Sequence, residues 1–396
     1  MPNIKSQKCL FVKGKPPSAK MPAGNGGVVT DHSALDIPGK KGYNCENVRG
    51  WLMKDLIKKL TEAYGPSGNE GPIRELIKRE VRGLVDSVST DVLGNLVAVR
   101  TPKGRGGRHV MVAAHMDEIG LIATHVDDKG FVRFSNIGGI NPNNILAQRV
   151  VFENGTLGVI GEEKPDNPQT ARTLERMFID IGAGDKKGAL KSVAVGDIAA
   201  FHQECRFLGN RAVAKSMDDR IGCAAVILAM RLLKSSPHRI SFVFTSQEEV
   251  GLRGATAAAY GLDPDMGLAV DITGAFDAPG EKPKLPAVLG KGTAVKIKDA
   301  GILAHPGVRK HLTDLADRKR IPHQPDILER GTTDGSAIYK TRAGIPTGVL
   351  SVPTRYGHSC SEMVDLGDVK ATADLLAAVL SFPVPDRALG PYRAAR

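Results

Sequence analysis

The 396-residue sequence is poor in cysteine, in aromatic residues and in long apolar runs. Its five cysteines, Cys9, Cys45, Cys205, Cys223 and Cys360, are scattered, and no two form a CxxC pair. An odd, sparse set argues against a disulfide framework and against a cysteine-rich zinc site, and it fits a reducing, cytoplasmic setting. Aromatics make up only 5% of residues and do not interleave with lysine or arginine, so the sequence offers no stacking platform for nucleic acid. No apolar stretch approaches the roughly 20 residues of a membrane span. The basic N-terminus, MPNIKSQKCLFVKGKPPSAK, lacks the apolar centre of a secretory signal. Neither nucleic-acid nor membrane partners are expected.

What is present is an ordinary globular composition with a basic balance, 54 Lys and Arg against 43 Asp and Glu, net +11. The first fifty residues hold eight basic and three acidic residues and so carry +5 of that charge. Residues 1–49 are rich in Gly, Pro, Lys and Ser without periodicity, which predicts a disordered extension dispensable for folding. Order is expected from near Trp51. Leu52, Leu56, Ile57 and Leu60 have helical spacing, as do Ile73, Leu76, Ile77 and Val81 after the turn GPSGNEG. TDVLGNLVAVR and HVMVAAH read as strands.

From about Ile119 to Leu208 short strand-like pieces alternate with turns, and Asn154-Gly155 suits a hairpin. Helix and strand then alternate again: RIGCAAVILAMRLLKSS, RISFVFTS, MGLAVDI, IPTGVLSVP and VKATADLLAAVLSFP. The reading is an α/β fold with a mixed sheet flanked by helices, spanning 50–118 and 209–385. An all-β, barrel-like insertion occupies 119–208, and 386–396 form a tail.

Chemistry-bearing residues gather just after apolar strands. His115 and Asp117 follow VMVAA, Asp218 and Asp219 precede a helix, Glu248 and Glu249 follow FTSQ, Asp271 ends GLAV, and His358 stands in VPTRYGHSCSEMVD. In open α/β sheets ligands collect beyond the carboxyl ends of the strands, so these side chains could share one rim. Singly, each has a plainer reading. His115 could be a satisfied core histidine, Asp218 a helix N-cap, Asp271 a turn residue, and His358 with Cys360 a Cys–His nucleophile pair. Together, two histidines and three carboxylates suit Zn2+, Co2+ or Mn2+. One aspartate can bridge two ions about 3.5–4 Å apart.

AAHMDEIGL, SMDDRIG, SQEEVGLRGA, AVDIT and RYGHSCSEMVD, in this order, resemble the M42 family of dinuclear metal aminopeptidases, which includes glutamyl aminopeptidases and TET peptidases. The resemblance runs from about Trp51 to about Phe382. It implies a zinc-peptidase-like catalytic domain whose β insertion serves dimerisation, and assembly into homodimers and dodecamers acting on peptides. It implies one divalent ion on His115, Asp218 and Asp271 and another on Asp218, Glu249 and His358, with Asp218 bridging. Asp117 would orient His115, Glu248 would be the general base, and the Asp218–Asp219 peptide would be cis. Three features depart from the pattern: the basic extension, the basic net charge, and Cys360 where many relatives have proline. A deacylase or carboxypeptidase with a similar centre is the competing hydrolase reading. A non-catalytic scaffold is the competing reading of another class, although no ligand and no base is missing. The segment Glu329 to Tyr339 is expected to help build the specificity pocket.

Overall fold

The computed structural model describes residues 45–390 apart from 106, 165–166, 168 and 281–286. Of the expected extension, residues 1–44 lie outside the described residues, as do residues 391–396 of the tail. The first helix, α1 (Cys45–Glu62), begins before Trp51 and buries Leu56, Ile57 and Leu60. Helix α2 (Gly71–Val81) has a proline in its first turn and buries Ile73, Ile77 and Val81 four residues apart on one face. Strands β1 (Ser87–Thr90), β2 (Leu96–Arg100) and β3 (His109–His115) follow.

The chain then builds a closed barrel of β4 (Gly120–Val126), β5 (Val132–Ile137), β6 (Arg149–Phe152), β7 (Leu157–Glu162), β8 (Met177–Asp180) and β9 (Ile198–Phe201), with a short helix α3 (Lys186–Ala189) before β9. The β6–β7 hairpin turns at Asn154-Gly155, where Gly155 takes φ +87°. Its own apolar core includes Val132, Val150, Phe152, Ile160 and Ile179.

After the barrel come β10 (Arg206–Leu208), β11 (Arg211–Ala214), α4 (Met217–Leu232), β12 (Arg239–Thr245), α5 (Arg253–Leu262), β13 (Met266–Gly274), β14 (Thr293–Lys298) and α6 (Pro306–Lys319). The last elements are β15 (His323–Ile327), α7 (Asp334–Lys340), β16 (Thr347–Arg355), β17 (Glu362–Asp365), α8 (Leu366–Ser381) and α9 (Asp386–Leu389). The large sheet runs β1-β2-β12-β3-β13-β16-β17-β11-β10, with β14 bridging β16 and β15. The last strand of the 119–208 span, β10, therefore belongs to this sheet and not to the barrel.

The centre of the sheet, β12, β3, β13 and β16, is parallel. Both of its faces are covered, which is why these strands read as continuous apolar runs. Alternate residues of β3 show the two layers: Val110, Val112 and Ala114 share a core with Ala224, Ala225 and Ile227 of α4. Met111 and Ala113 pack instead with Ala258 and Ala259 of α5 and Ile338 of α7. Parallel strands under helices bring their C-terminal ends to one rim, and the rim carries the site.

A buried ionic knot fixes the start of α4 beneath that rim. Glu118 pairs with Lys215 at 2.6 Å and Arg220 at 3.3 Å, and all three side chains are almost wholly buried. Arg220 also donates to the carbonyls of Leu60, Ala63 and Gly65, and Lys215 to that of Ala63. Two cations share one carboxylate, so removing its charge leaves both uncompensated in an apolar setting. Glu118→Gln is expected to lower unfolding stability by about 3–5 kcal/mol, measured by urea denaturation of the metal-loaded protein.

Candidate functional site

The strand ends of the rim and the mouth of α4 deliver the site's side chains. His115 is the last residue of β3, in register with Thr245, the last of β12. Glu248 and Glu249 follow on the β12–α5 loop, Asp271 sits near the end of β13, and His358 lies on the β16–β17 loop. Asp218 stands at the mouth of α4, where Ser216 is left-handed, Asp218 and Asp219 depart from helical φ/ψ, and the Asp218–Asp219 peptide is cis.

The fold gathers all five expected ligands into two overlapping groups. His115, Asp218 and Asp271 form one and Asp218, Glu249 and His358 the other, and within each the donor atoms lie within 4.8 Å of one another. The Asp218 carboxylate turns one oxygen to each histidine, Oδ1 at 2.9 Å from His115 Nε2 and Oδ2 at 3.3 Å from His358 Nε2. Glu249 Oε2 lies 3.5 Å from His358 Nε2, while its Oε1 is buried without a hydrogen-bond partner. Glu248 belongs to neither group; its Oε2 is 3.9 Å from His115 Nε2.

Electrostatics support a cation here. Burial first, then Asp218, pushes the Glu249 carboxyl up to about 8. Burial, then Asp218 and Asp334, does the same to Asp271, also to about 8. Glu248 is raised by burial and by Asp271, Asp334 and Glu249. For His115 burial acts the other way, but Glu248, Asp117 and Asp218 outweigh it and hold the ring well above its ordinary value. The hydrogen bond to Asp218 raises His358 to about 11. Asp218 is burdened by burial yet stays below the carboxylate range because both histidines bond to it. An oxygen-and-imidazole donor set with surplus negative charge and an orphaned carboxylate oxygen fits two divalent ions.

Around the donors, buried acids clamp the loops by accepting backbone N–H groups. Asp117 accepts from Glu248 N at 3.0 Å and Glu249 N at 3.2 Å, and its Oδ1 lies 3.5 Å from His115 Nδ1. Asp219 accepts from His115 N at 3.2 Å. Glu362 accepts from Asp218 N at 2.9 Å and His358 N at 2.7 Å. Sequence reading assigned no role to Glu362 or to Ser67, which donates to Asp117 at 2.6 Å. Asp334, expected as part of the specificity segment, accepts instead from Thr245 Oγ1 at 2.5 Å. Only the position of Glu362 inside RYGHSCSEMVD hinted at its place. Cys360 is buried in the barrel core and its thiol is pushed up to about 12 by burial, which removes the Cys–His nucleophile reading.

The donors open into a cleft of about 650 Å³. Its other walls include Leu252, Ile272, Phe276 and Tyr356, and from the expected specificity segment Arg330, Gly331, Thr332 and Thr333. Asp334 and Ser336 of that segment are buried instead.

The M42 glutamyl aminopeptidase profile matches residues 94–375, which spans the whole constellation. The chain belongs to the M42 peptidase family. It is therefore a metal-dependent peptide-bond hydrolase of the aminopeptidase type. A lysyl aminopeptidase of Pyrococcus furiosus is 36% identical over 339 residues, 82% of this chain and 96% of the relative. Aminopeptidase APDkam598 from the archaeon Desulfurococcus kamchatkensis has TM-score 0.82 at 41% identity, covering 86% of this chain and 97% of that one. The Pyrococcus horikoshii TET1 peptidase, which can assemble into a tetrahedron or a large octahedral shell, has TM-score 0.74 at 32% identity, covering 83% and 99%. No helix among the described residues of this M42 peptidase is long and apolar enough to cross a membrane.

With the ions chelated, Glu249 and Asp271 hold protons in the folded state far above the ordinary carboxylate range, and His358 does so above the ordinary imidazole range. All three contribute stability at low pH that is lost as pH rises, between about 4 and 8 for the acids and about 6.5 and 11 for the histidine. The thermal midpoint of the chelated protein is expected to fall from about pH 5.5 to about pH 8.5. Added Zn2+ should stabilise more at the higher pH, because binding displaces those protons. A chelated protein that grows more stable across this range would contradict the arrangement.

Proposed function

We propose that this peptidase removes N-terminal residues from peptides at a centre of two divalent ions, Zn2+ or Co2+, with Mn2+ a third candidate. His115, Asp218 and Asp271 would hold one ion and Asp218, Glu249 and His358 the other. The observation that carries this reading is the Asp218 carboxylate, which presents one oxygen to each histidine. When bound, such ions supply Lewis acidity toward the scissile carbonyl and a water nucleophile at neutral pH.

The chain's own groups do the rest. Glu248 stands free of both donor groups, with its side chain nine-tenths buried beside His115. Its raised proton affinity suits a general base that takes a proton from water and returns it to the departing amine. Asp117 fixes His115 from behind and at the same time holds the Glu248 and Glu249 amides, so the base and both donor groups share one support. The cleft beside the donors, walled by Leu252, Ile272, Phe276 and Tyr356, would seat the substrate. Names of relatives support an amino-terminal direction over the carboxypeptidase or deacylase reading. The unpaired cysteines Cys205, Cys223 and Cys360 support a cytoplasmic setting. The barrel, with Leu157, Val159, Leu190 and Val195 exposed, is the surface through which we expect homodimers, and from them a dodecamer, to form.

Glu248→Gln is expected to keep both ions and lower kcat at least about a hundredfold, read by metal analysis beside arylamide kinetics. Normal turnover would remove Glu248 from the mechanism. Asp218→Ala should instead weaken both ions in an equilibrium metal titration; two intact sites would move the bridge elsewhere. Peptide ladders followed by mass spectrometry should show single residues leaving from free amino termini only, and light scattering should show at least a dimer. Release of C-terminal residues by a monomer would overturn both assignments.

A further inference from the structure

The barrel reaches the donor cluster through one turn. Strand β5 ends at Ile137, and Gly138 and Gly139 follow. The Gly139 carbonyl lies 2.8 Å from His358 Nδ1. A carbonyl only accepts, so Nδ1 donates there and Nε2 faces Asp218 and Glu249. The same glycines set the space beside the cluster. A Cβ on Gly139 would lie 3.0 Å from His358 Nδ1, and one on Gly138 would lie 2.8 Å from Ile119 Cγ2 and 3.2 Å from both Cβ and Oε2 of Glu249. Gly138 takes φ +76°, which favours glycine, whereas Gly139 lies outside the left-handed region and is solvent-exposed. Asn136 Nδ2 steadies the turn by donating to the Gly138 carbonyl at 2.6 Å. From the other side Cys360, two residues beyond His358, is sunk in the barrel's apolar core.

We propose that the Gly138–Gly139 turn of the inserted barrel is a positioning element for Glu249 and His358, the two donors that only one of the two groups contains. Its carbonyl aims the His358 ring, and its missing side chains leave the gap that Glu249 and His358 occupy. The barrel is thus part of the metal centre as well as an outer surface. This rests on the two-ion reading above and adds to it that the two donor groups depend unequally on the barrel: His115 and Asp271 make no contact of this kind with the turn.

The test is Co2+ titration of chelator-stripped protein, followed by absorption and by competition with a chelator. Gly139→Ala should weaken one of two ions about tenfold and Gly139→Val further, while the other ion keeps its affinity. Gly155→Ala is the control, since Gly155 has φ +87° and open space where a Cβ would stand; it should bind both ions as the wild type does. Wild-type affinity for both ions in Gly139→Val, or equal weakening of both, overturns the proposal. If Gly139→Val fails to fold, Asn136→Ala, which only releases the Gly138 carbonyl, carries the same expectation, and unchanged affinity in it overturns the proposal. A wild-type protein that takes up a single ion counts against the two-ion reading, and the turn is then judged on that one ion by the same criterion.

Discussion

Like charges crowded out of water are the constraint on which this structure depends. Asp117, Asp218, Asp219, Glu248, Glu249, Asp271, Asp334 and Glu362 converge on two histidines at one end of a parallel sheet. Desolvation alone would neutralise such acids, and their mutual repulsion would push the rim apart. Protons can relieve this at low pH and cations near neutrality. A site of this kind is stable with its ions and loses stability without them, which is how chemistry and folding become one problem here.

The scaffold answers the repulsion with directional hydrogen bonds as well as with cations. Asp117 ties the β12 loop to β3, Asp219 ties β3 to α4, and Glu362 ties α4 to the loop of His358. Each of these acids accepts from the backbone of a segment other than its own. The segments are far apart in sequence, so no single loop can drift without breaking a bond to its neighbour. The Glu118–Lys215–Arg220 knot extends the same logic one layer down, anchoring the mouth of α4 to carbonyls of the last turn of α1 and of the loop after it.

The barrel changes how the two domains relate. As a sequence feature it is an interruption between His115 and Asp218. In the fold its β5 turn touches His358 and Glu249, and its core accepts Cys360 from the loop that carries His358. Cys360 is thereby accounted for as packing: a small apolar side chain fills a barrel-core position, and burial raises its thiol's proton affinity.

Much of this was legible in the sequence. Period-two and continuous apolar runs mark β3, β12, β13 and β16, and helical spacing marks α2, α4 and α8, because burial on a strand or helix face writes a local pattern. Acids and histidines placed just past those runs pointed to a common rim, since parallel strands end on the same side. The 293–327 stretch, with β14, α6 and β15, leaves a weak pattern in the sequence, because Lys296 and Lys298 interrupt β14, Gln324 and Asp326 interrupt β15, and α6 is highly charged. Nor could sequence show that β10 joins the large sheet, that Glu362 and Asp219 serve as clamps, or that a glycine turn of the barrel stands against His358. Local spacing determines which residue types lie at the strand ends and which chemistry they can perform. Which carboxylate carries charge, which holds a backbone, and which glycine must stay bare are decided by distances between segments that only the folded chain brings together.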